Sequence, residues 1–399
     1  MLEFHKKKSK NPSKTEPEKR IKDFQEIYSQ FDKNDSIEQS SRCSQCGIPY
    51  CQIHCPLNNN IPDWLRYIAE GRLEEAYQVS ASTNAFPEVC GRVCPQDRLC
   101  EGNCVVEQAG FGAITIGNLE KYLTEIAWEK GWVKNLSSQN QYKQKVAIIG
   151  SGPAGMAASA YLTQNGYQVD VFEKNDRAGG LMIYGIPNFK LDKKIVERRT
   201  EWLTDSGVVF NLNTEVGKNI SFQDLEKDYD AILIATGVYK ARQLDIDTSS
   251  VNNSIPALDF LIESNRTGLG DSPSKNKYLT AKDKHVVVIG GGDTAMDCVR
   301  TAIRQQAKEV TCLYRRNKEN MPGSAREVLN AEQEGIKFNW LSVPSKIISD
   351  SATATSMTYK VATLGEVDES GRRKPIDTGV EKQIKSDLII QALGFEPED

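Results

Sequence analysis

The chain has 399 residues, and its 50 lysines and arginines against 54 aspartates and glutamates give a net charge of −4. A nucleic-acid-binding protein usually carries a basic field, so this balance argues against that class. Hydrophobic residues make up 39% of the chain, enough for two or three domains with sizeable cores, and no apolar run is long enough to span a bilayer. The N-terminus lacks the apolar core of a secretory signal, so we expect a cytoplasmic protein.

The N-terminal part is predicted to be helical. Residues 1–22 are polar and basic, which favours a solvated, flexible tail. From Asp23 onward apolar residues recur at helical spacing, and two short helices are predicted on either side of Gly71. A further helical pattern begins at Ile116. We therefore expect an all-helical domain over residues 23–140.

The sequence then changes to alternating strands and helices. The run VAIIG is a short apolar strand followed by a glycine turn and a helix of small residues, and HVVVIGGGDTAMD repeats this order further along. Two copies of the scheme predict an α/β fold with two Rossmann-type dinucleotide-binding domains after the helical one. We assign 141–283 to the first and 284–391 to the second, and we expect 392–399 to begin a return to the first.

The first glycine turn fits the dinucleotide fingerprint G-x-G-x-x-G. Its residues are Gly150, Ser151, Gly152, Pro153, Ala154 and Gly155. Gly150 permits the tight turn, Gly152 lets the backbone approach a pyrophosphate, and Gly155 lets the helix pack on the strand. Glu173 ends the next strand, where a carboxylate accepts hydrogen bonds from a ribose diol. This site suits FAD or NAD, the alternative being a purely structural turn.

The second glycine turn differs at the end of the following strand. Its residues are Gly290, Gly291, Gly292, Asp293, Thr294 and Ala295, and the strand after it ends in Arg315 and Arg316. Guanidinium groups pair with a 2′-phosphate that a carboxylate would repel, so this site suits NADP(H). The alternative is that the two arginines end a strand in solvent.

Two dinucleotide sites in one chain suggest a flavin that receives hydride from a nicotinamide. The cofactors perform that chemistry, so we expect no indispensable catalytic side chain. A dithiol reductase would need a redox Cys-x-x-Cys beside the flavin, but Cys298 has no partner nearby in the sequence. We expect Cys298 and Cys312 to be buried as small hydrophobic residues.

Eight of the ten cysteines are concentrated in one short part of the helical region. They are Cys43, Cys46, Cys51, Cys55, Cys90, Cys94, Cys100 and Cys104. Close cysteines followed by proline, with distant cysteines completing the set, suit iron–sulfur clusters, and eight thiolates would serve two of them. Zinc and disulfides remain alternatives.

Several motifs together resemble the small subunits of bacterial NADPH-dependent glutamate synthase. They are CSQCGIPYCQIHCPLNN, FPEVCGRVCPQDRLCEGNC, ITIGNLEKY, VAIIGSGPAGMAAS, GGLMIYGIPNFKL, VVVIGGGDTAMDC and LYRRNKENMPGSAREV. The similarity covers the chain from about residue 20, and the N-terminal part of dihydropyrimidine dehydrogenase is similar as well. The family continues beyond QALGFEPED with a segment that closes over the flavin, so we expect a truncated form or a fragment.

The resemblance implies how two 4Fe–4S clusters share their ligands. One takes Cys43, Cys46, Cys51 and Cys104, and the other takes Cys55, Cys94, Cys100 and a side chain on the following helix. That position is Glu120 here, which would leave Cys90 as a non-ligand. The alternative is that Cys90 is the ligand and Glu120 a surface charge.

The resemblance also implies the cofactor contacts. FAD would lie on the first turn and on the segment from Glu173 to Leu181, which includes Gly179 and Gly180, with Lys190 near its phosphates. NADPH would lie on the second turn, with its 2′-phosphate on Arg315 and Arg316.

The function implied is that of an electron-input subunit. It would oxidise NADPH and pass electrons through FAD and the clusters to a large FMN-containing subunit that makes glutamate from glutamine and 2-oxoglutarate. One alternative is a flavoprotein subunit for another acceptor, such as a pyrimidine or ferredoxin. A non-catalytic binding module is the other.

Overall fold

The computed structural model describes residues 1–248, 251–367 and 371–398. The chain divides into two compact units. The first comprises Met1–Thr15, Glu26–Ile183 and Phe189–Gly237, and the second comprises Glu16–Gln25, Tyr184–Asn188 and Val238–Asp399.

Helices precede the first strand, which begins at Lys145, and alternate with strands in the rest of the chain. In chain order they are α1 (Pro17–Arg20), α2 (Lys33–Ser41), α3 (Tyr50–Ile53), α4 (Ile61–Ala69), α5 (Leu73–Ala81), α6 (Pro87–Val93), α7 (Val105–Gln108), α8 (Ile116–Glu129), α9 (Pro153–Gln164), α10 (Leu181–Tyr184), α11 (Lys193–Asp205), α12 (Phe222–Asp228), α13 (Ala257–Gly268), α14 (Asp293–Arg304) and α15 (Ala325–Gln333). Across the described ranges, no helix combines the length and the apolar character needed to cross a membrane.

The strands follow in the remainder of the chain. They are β1 (Lys145–Ile149), β2 (Gln168–Phe172), β3 (Val209–Asn211), β4 (Ala231–Ile234), β5 (Lys240–Ala241), β6 (Ser254–Pro256), β7 (His285–Ile289), β8 (Glu309–Leu313), β9 (Lys337–Asn339), β10 (Ser342–Asp350), β11 (Thr353–Val367), β12 (Arg373–Lys385), β13 (Leu388–Gln391) and β14 (Phe395–Glu396).

The predicted helical pair around Gly71 is confirmed. Gly71 has a φ of +77°, a conformation that glycine adopts without strain, and it separates α4 from α5. Trp64, Leu65 and Ile68 of α4 are at most 1% exposed and form the centre of the helical core. The helix predicted to start at Ile116 is α8, and its Leu119 packs in the same core.

The helix predicted from Asp23 is wrong. Residues 23–31 contain no helix, and the next helix is α2, which begins at Lys33 because the Asp32 side chain accepts a hydrogen bond from the Asp35 amide and caps it. The apolar side chains that suggested a helix are Phe24, Ile27, Tyr28 and Phe31. Ile27 and Phe31 are 4% exposed, so an irregular segment buries them just as a helical face would.

The structure also differs from the solvated tail predicted for residues 1–22. The Leu2 amide donates to the Cys43 carbonyl within the first unit. In the second unit Arg20 is 1% exposed, and its Nε donates to Glu334 at 2.8 Å. Basic residues in this segment therefore have partners far along the chain, and local composition does not indicate such partners.

The first unit contains a parallel sheet with the strand order β3-β2-β1-β4. The Gly150 turn follows β1, and Glu173 follows β2. Since neighbouring parallel strands end at the same edge of a sheet, both features lie at one edge, where open α/β sheets bind ligands.

The second unit contains a parallel sheet with the order β6-β13-β7-β8-β9. The run VVVI of β7, Val286 to Ile289, is fully apolar because alternate residues enter two cores. Val286 and Val288 pack in one core with helix α14, whereas Val287 and Ile289 pack in the other with Met357 of β11. Strands β10, β11 and β12 form an antiparallel sheet that the sequence motifs do not predict.

The boundary between the nucleotide domains differs from the predicted one at 283/284. The second unit includes the chain from Val238 onward, and β6 at Ser254–Pro256 is a strand of its parallel sheet. The segment predicted to return to the first domain contains β14, which pairs with β5 inside the second unit.

Candidate cofactor sites

Four thiols surround one small cavity in the helical part of the first unit. Cys43 and Cys46 follow α2, Cys51 lies in α3, and Cys104 precedes α7. Apolar side chains, among them Leu65, complete the lining. None of the four is in a disulfide. Residues that are up to 61 positions apart in the sequence (104 − 43) are thus brought to the wall of one cavity.

The electrostatics of this group suit a cationic centre. Burial and the neighbouring thiolates of Cys43 and Cys104 raise the pKa of Cys51 to about 12. Burial likewise raises the pKa of Cys43. Free thiolates of Cys43 and Cys51 are therefore disfavoured here, while iron keeps coordinated thiols deprotonated.

The arrangement of the four thiols also indicates which kind of metal centre they could hold. Among the described residues, no group of three or more histidines, cysteines, aspartates or glutamates is placed to hold a single metal ion. The four thiols surround a cavity instead of converging on one point. A four-iron cube, which takes one thiolate on each iron, fits that arrangement.

A second group contains the remaining predicted ligands. Burial, together with the negative charges of Glu101, Glu120 and Cys55, raises the pKa of Cys100 well above its ordinary value. Cys55 and Glu120 therefore each lie within electrostatic reach of Cys100. Cys94 ends α6, and its thiol shares a hydrogen bond with the thiol of Cys90, whose charge acts on Glu120.

Glu120 is a buried carboxyl with an unusual environment. It lies on α8, is 8% exposed, and its Oε1 accepts a hydrogen bond from Asn84 Nδ2 at 3.2 Å. Burial raises its pKa well above the usual carboxyl value, and the charge of Cys90 acts in the same direction. Within the described part of the chain it has no ion pair, so a metal cation would favour its charged form.

Cys90 belongs to the second group as well. Its Sγ lies 3.8 Å from Asn84 Oδ1, and Asn84 also binds Glu120. The structure therefore brings both candidates for the eighth ligand together. Asn84, which sequence reasoning missed, connects them, and no sequence motif marks it.

The first glycine turn has the geometry of a dinucleotide site. Gly150 has a φ of +103°, and a Cβ there would lie 2.5 Å from the Ala235 carbonyl oxygen. A side chain on Gly155 would collide with the Gly150 carbonyl oxygen. A Cβ on Gly152 would meet nothing within 4 Å, so this backbone faces open space at the N-terminus of α9. A pyrophosphate fits there, on the helix N-terminus.

The Glu173 side chain is buried and hydrogen-bonded to this turn. It is 5% exposed, and its Oε2 accepts hydrogen bonds from the Ser151 amide at 3.1 Å and the Ser151 hydroxyl at 2.6 Å. Its Oε1 accepts from the Asn175 amide and side chain. The carboxylate thus lies at the turn, as predicted, but it also holds the turn together.

The other predicted flavin contacts follow in chain order. The Gly179 amide donates to the Ser151 carbonyl at 3.1 Å, and a Cβ on Gly180 would lie 2.6 Å from the Gly152 Cα. This second turn therefore packs directly on the first. Leu181 begins α10, and Lys190 lies half-buried between α10 and α11.

The second glycine turn borders a cavity of about 450 Å³ in the second unit. Among the predicted residues, those that line it are Gly290, Gly291, Gly292, Thr294, Arg315 and Arg316. Asp293 is not in the lining, and its Oδ1 accepts a hydrogen bond from the Ser324 amide at 3.0 Å. A Cβ on Gly292 would enter open space at the N-terminus of α14, as at the first turn.

Sequence reasoning missed further residues of this cavity. Arg242 and Arg372 line it too, together with residues of the strand β10. They come from segments that carry no nucleotide motif, and only the positive charge of the two arginines could have suggested them.

Comparisons with known proteins agree with the two kinds of domain and with the cofactors predicted for them. Residues 20–132 match the sequence family described as dihydropyrimidine dehydrogenase domain II with a 4Fe–4S cluster, and residues 144–399 match the pyridine nucleotide-disulphide oxidoreductase family. In fold alone, the chain is similar to FprA from Mycobacterium tuberculosis in complex with NADPH. The TM-score is 0.54 at 20% identity, over 65% of this chain and 72% of that one.

Two curated relatives match the chain over most of their length. The glutamate synthase (NADPH) small chain of Azospirillum brasilense is 52% identical over 100% of this chain and 83% of its own. The protein of the same name from Escherichia coli (strain K12) is 46% identical over 94% of this chain and 80% of its own. The resemblance predicted from the motifs is therefore confirmed, and the chain belongs to the family of glutamate synthase (NADPH) small chains.

Proposed function

We propose that this chain is the electron-input subunit of a glutamate synthase. It oxidises NADPH and passes electrons through FAD and two 4Fe–4S clusters to a larger, FMN-containing subunit, which makes glutamate from glutamine and 2-oxoglutarate. The observation that carries this proposal is the group of four thiols around one cavity in a chain that also has an arginine-lined nucleotide cavity.

The residues of the chain bind and orient the cofactors. FAD, when bound, would supply a hydride acceptor that can give up single electrons, and iron–sulfur clusters would supply single-electron carriers. Gly152 and Gly292 leave room for the two pyrophosphates at helix N-termini. Glu173 would accept hydrogen bonds from the flavin ribose, and Arg315 and Arg316 would neutralise the 2′-phosphate of the nicotinamide nucleotide.

The clusters have separate ligand sets in this proposal. One is held by Cys43, Cys46, Cys51 and Cys104, and the other by Cys55, Cys94, Cys100 and Glu120. The fit of the first set rests on the shared cavity, and that of the second on the buried carboxyl without an ion pair among the described residues.

A larger partner is needed for a chemical reason. Release of ammonia from glutamine requires an activated nucleophile, such as a thiol beside a histidine. Among the described residues, His5 contacts the Phe4 ring, His54 is hydrogen-bonded to the Tyr50 carbonyl and His285 pairs with Asp387, and none of the three is hydrogen-bonded to a cysteine. Amide transfer and reduction of the resulting imine are therefore assigned to the partner.

The function is tested with the anaerobically purified protein. It should contain about eight iron and eight sulfide per chain, and its flavin absorbance should bleach when NADPH is added. Mixed with a large glutamate synthase subunit, it should support glutamate formation from glutamine and 2-oxoglutarate. If the flavin bleaches but electrons pass only to a pyrimidine or a ferredoxin, the acceptor proposed here is wrong. If the flavin does not bleach, the chain is a non-catalytic binding module.

The eighth ligand is tested with a pair of variants. Glu120→Ala should remove or alter one cluster and spare the other, whereas Cys90→Ser should leave both intact. Iron content and low-temperature EPR spectra give the result. Loss of a cluster in Cys90→Ser but not in Glu120→Ala would show that the thiol is the ligand.

A further inference from the structure

The cavity beside the second glycine turn is strongly positive. Among the described residues that line it are four arginines and one carboxylate, namely Arg242, Arg315, Arg316, Arg372 and Asp245. The strand-end pair accounts for only two of these cations. This excess of positive charge is larger than one pyrophosphate needs, and it suits a ligand with a further phosphate.

Arg372 comes from a separate part of the unit. It immediately precedes β12, which begins at Arg373 and pairs with Val367 of β11. The hairpin is hydrogen-bonded to the segment that follows β8, because Arg316 Nε donates to the Arg373 carbonyl oxygen at 2.7 Å. Arg316 is only 8% exposed, so this bond lies in a shielded environment where it is stronger than in water.

The same sheet is anchored to the strand end at a second place. The Leu341 amide donates to the Arg316 carbonyl at 3.0 Å, and the Ser342 amide donates to the Tyr314 carbonyl at 2.9 Å. The starts of both edge strands, β10 and β12, are therefore bonded to residues 314–316. The backbone next to Arg372 is consequently held at the end of β8 by hydrogen bonds.

We propose that Arg372 is a specificity-determining residue that binds the 2′-phosphate together with Arg315, and that Arg316 is the positioning residue that holds Arg372 there. This inference rests on the proposed function. Arg315 is exposed and makes no hydrogen bond or ion pair with a described residue. A phosphate monoester carries nearly two negative charges at neutral pH, so two guanidinium groups match it.

Direct binding of nucleotide fragments tests the proposal without flavin or iron chemistry. The probes are 2′,5′-ADP, which carries the 2′-phosphate, and 5′-AMP, which lacks it, titrated calorimetrically into the full chain. Arg372→Gln should weaken 2′,5′-ADP binding by ~10-fold or more and 5′-AMP binding by less than ~2-fold. Lys374→Gln is the matched control, because it removes the same charge from an exposed position on β12 outside the cavity lining, and it should change neither affinity by more than ~2-fold.

The positioning role is tested by a double-mutant cycle. If Arg316 acts partly through Arg372, the losses of 2′,5′-ADP affinity in Arg316→Gln and Arg372→Gln should sum to more than the loss in the double variant. Strict additivity would overturn the positioning role. Arg372→Lys should recover part of the affinity, because lysine restores the positive charge but not the planar guanidinium group.

The outcomes separate this inference from the proposed function. Wild-type protein that does not prefer 2′,5′-ADP to 5′-AMP would overturn both. If wild-type protein shows the preference and Arg372→Gln keeps it, the NADPH site stands and the role of Arg372 is overturned. Equal weakening of both probes in Arg372→Gln also overturns that role.

Discussion

The two glycine turns of this chain share one scaffold and differ in the residues at the end of the next strand. In both, a short parallel strand is followed by a glycine turn, and a glycine with open space beside it caps the next helix. After the first turn, Glu173 is buried against Ser151. After the second, Arg315 and Arg316 line a cavity. The scaffold suits the pyrophosphate that both dinucleotides contain, and the strand end decides which ribose fits.

The turns also differ in what holds them together. Glu173 accepts hydrogen bonds from the backbone of its own turn, so this carboxylate has a structural role before any ligand binds. Arg316 donates to the Arg373 carbonyl instead and connects the end of its strand to a distant hairpin. The strand-end side chain thus holds the glycine turn itself in the first case and another sheet in the second.

The largest effect is expected from removing the strand-end cations. Replacing both Arg315 and Arg316 with Gln should raise the NADPH KM far more than the NADH KM, since each charge-assisted hydrogen bond contributes about 1.5–3 kcal/mol. Steady-state kinetics with both nucleotides measure the difference. Equal changes for NADPH and NADH would end the assignment of this turn to a 2′-phosphate.

A smaller effect is expected at the first turn. Glu173→Gln should weaken FAD binding by about 1.5–3 kcal/mol, because a neutral amide accepts weaker hydrogen bonds from ribose hydroxyls than a carboxylate does. Flavin retention on a gel-filtration column and titration of the apoprotein with FAD measure it. Ser151→Ala is the companion variant, because it removes only the hydroxyl bond inside the turn. If Ser151→Ala weakens FAD binding as much as Glu173→Gln does, Glu173 acts only by holding the turn.

The smallest effect concerns the third position of each fingerprint. Gly155→Ala should destabilise the first unit by about 1–3 kcal/mol, because the methyl group would meet the Gly150 carbonyl oxygen and the backbone would have to move. The matched change in the second unit, Ala295→Gly, should cost about 1 kcal/mol through lost helix propensity.

Urea unfolding, followed by amide exchange of α9 and α14, compares the two variants. A Gly155→Ala protein as stable as the wild type would mean that the first turn tolerates a side chain and that the two turns do not differ in packing.

Much of the fold was predictable because its signals are local. Each strand, glycine turn and helix lies within about 20 consecutive residues, and the positive φ of Gly150 and Gly290 requires glycine in either context. The cysteine spacing similarly indicated an iron–sulfur domain, and the match of residues 20–132 to a 4Fe–4S family agrees. Predictions failed where a local pattern had two solutions, as at Ile27 and Phe31, which are buried without forming a helix.

The sequence by itself determined that this chain has two dinucleotide turns of opposite strand-end charge and a cysteine-rich helical domain, because steric limits on glycine and ligand chemistry act over a few residues. Only the tertiary structure decided that Arg20 is buried against Glu334, that an antiparallel sheet covers Val287 and Ile289, and that Arg372 reaches the nucleotide cavity. These contacts join residues dozens to hundreds of positions apart. Their free energy is gained only when the chain has folded, so no short stretch of sequence records them.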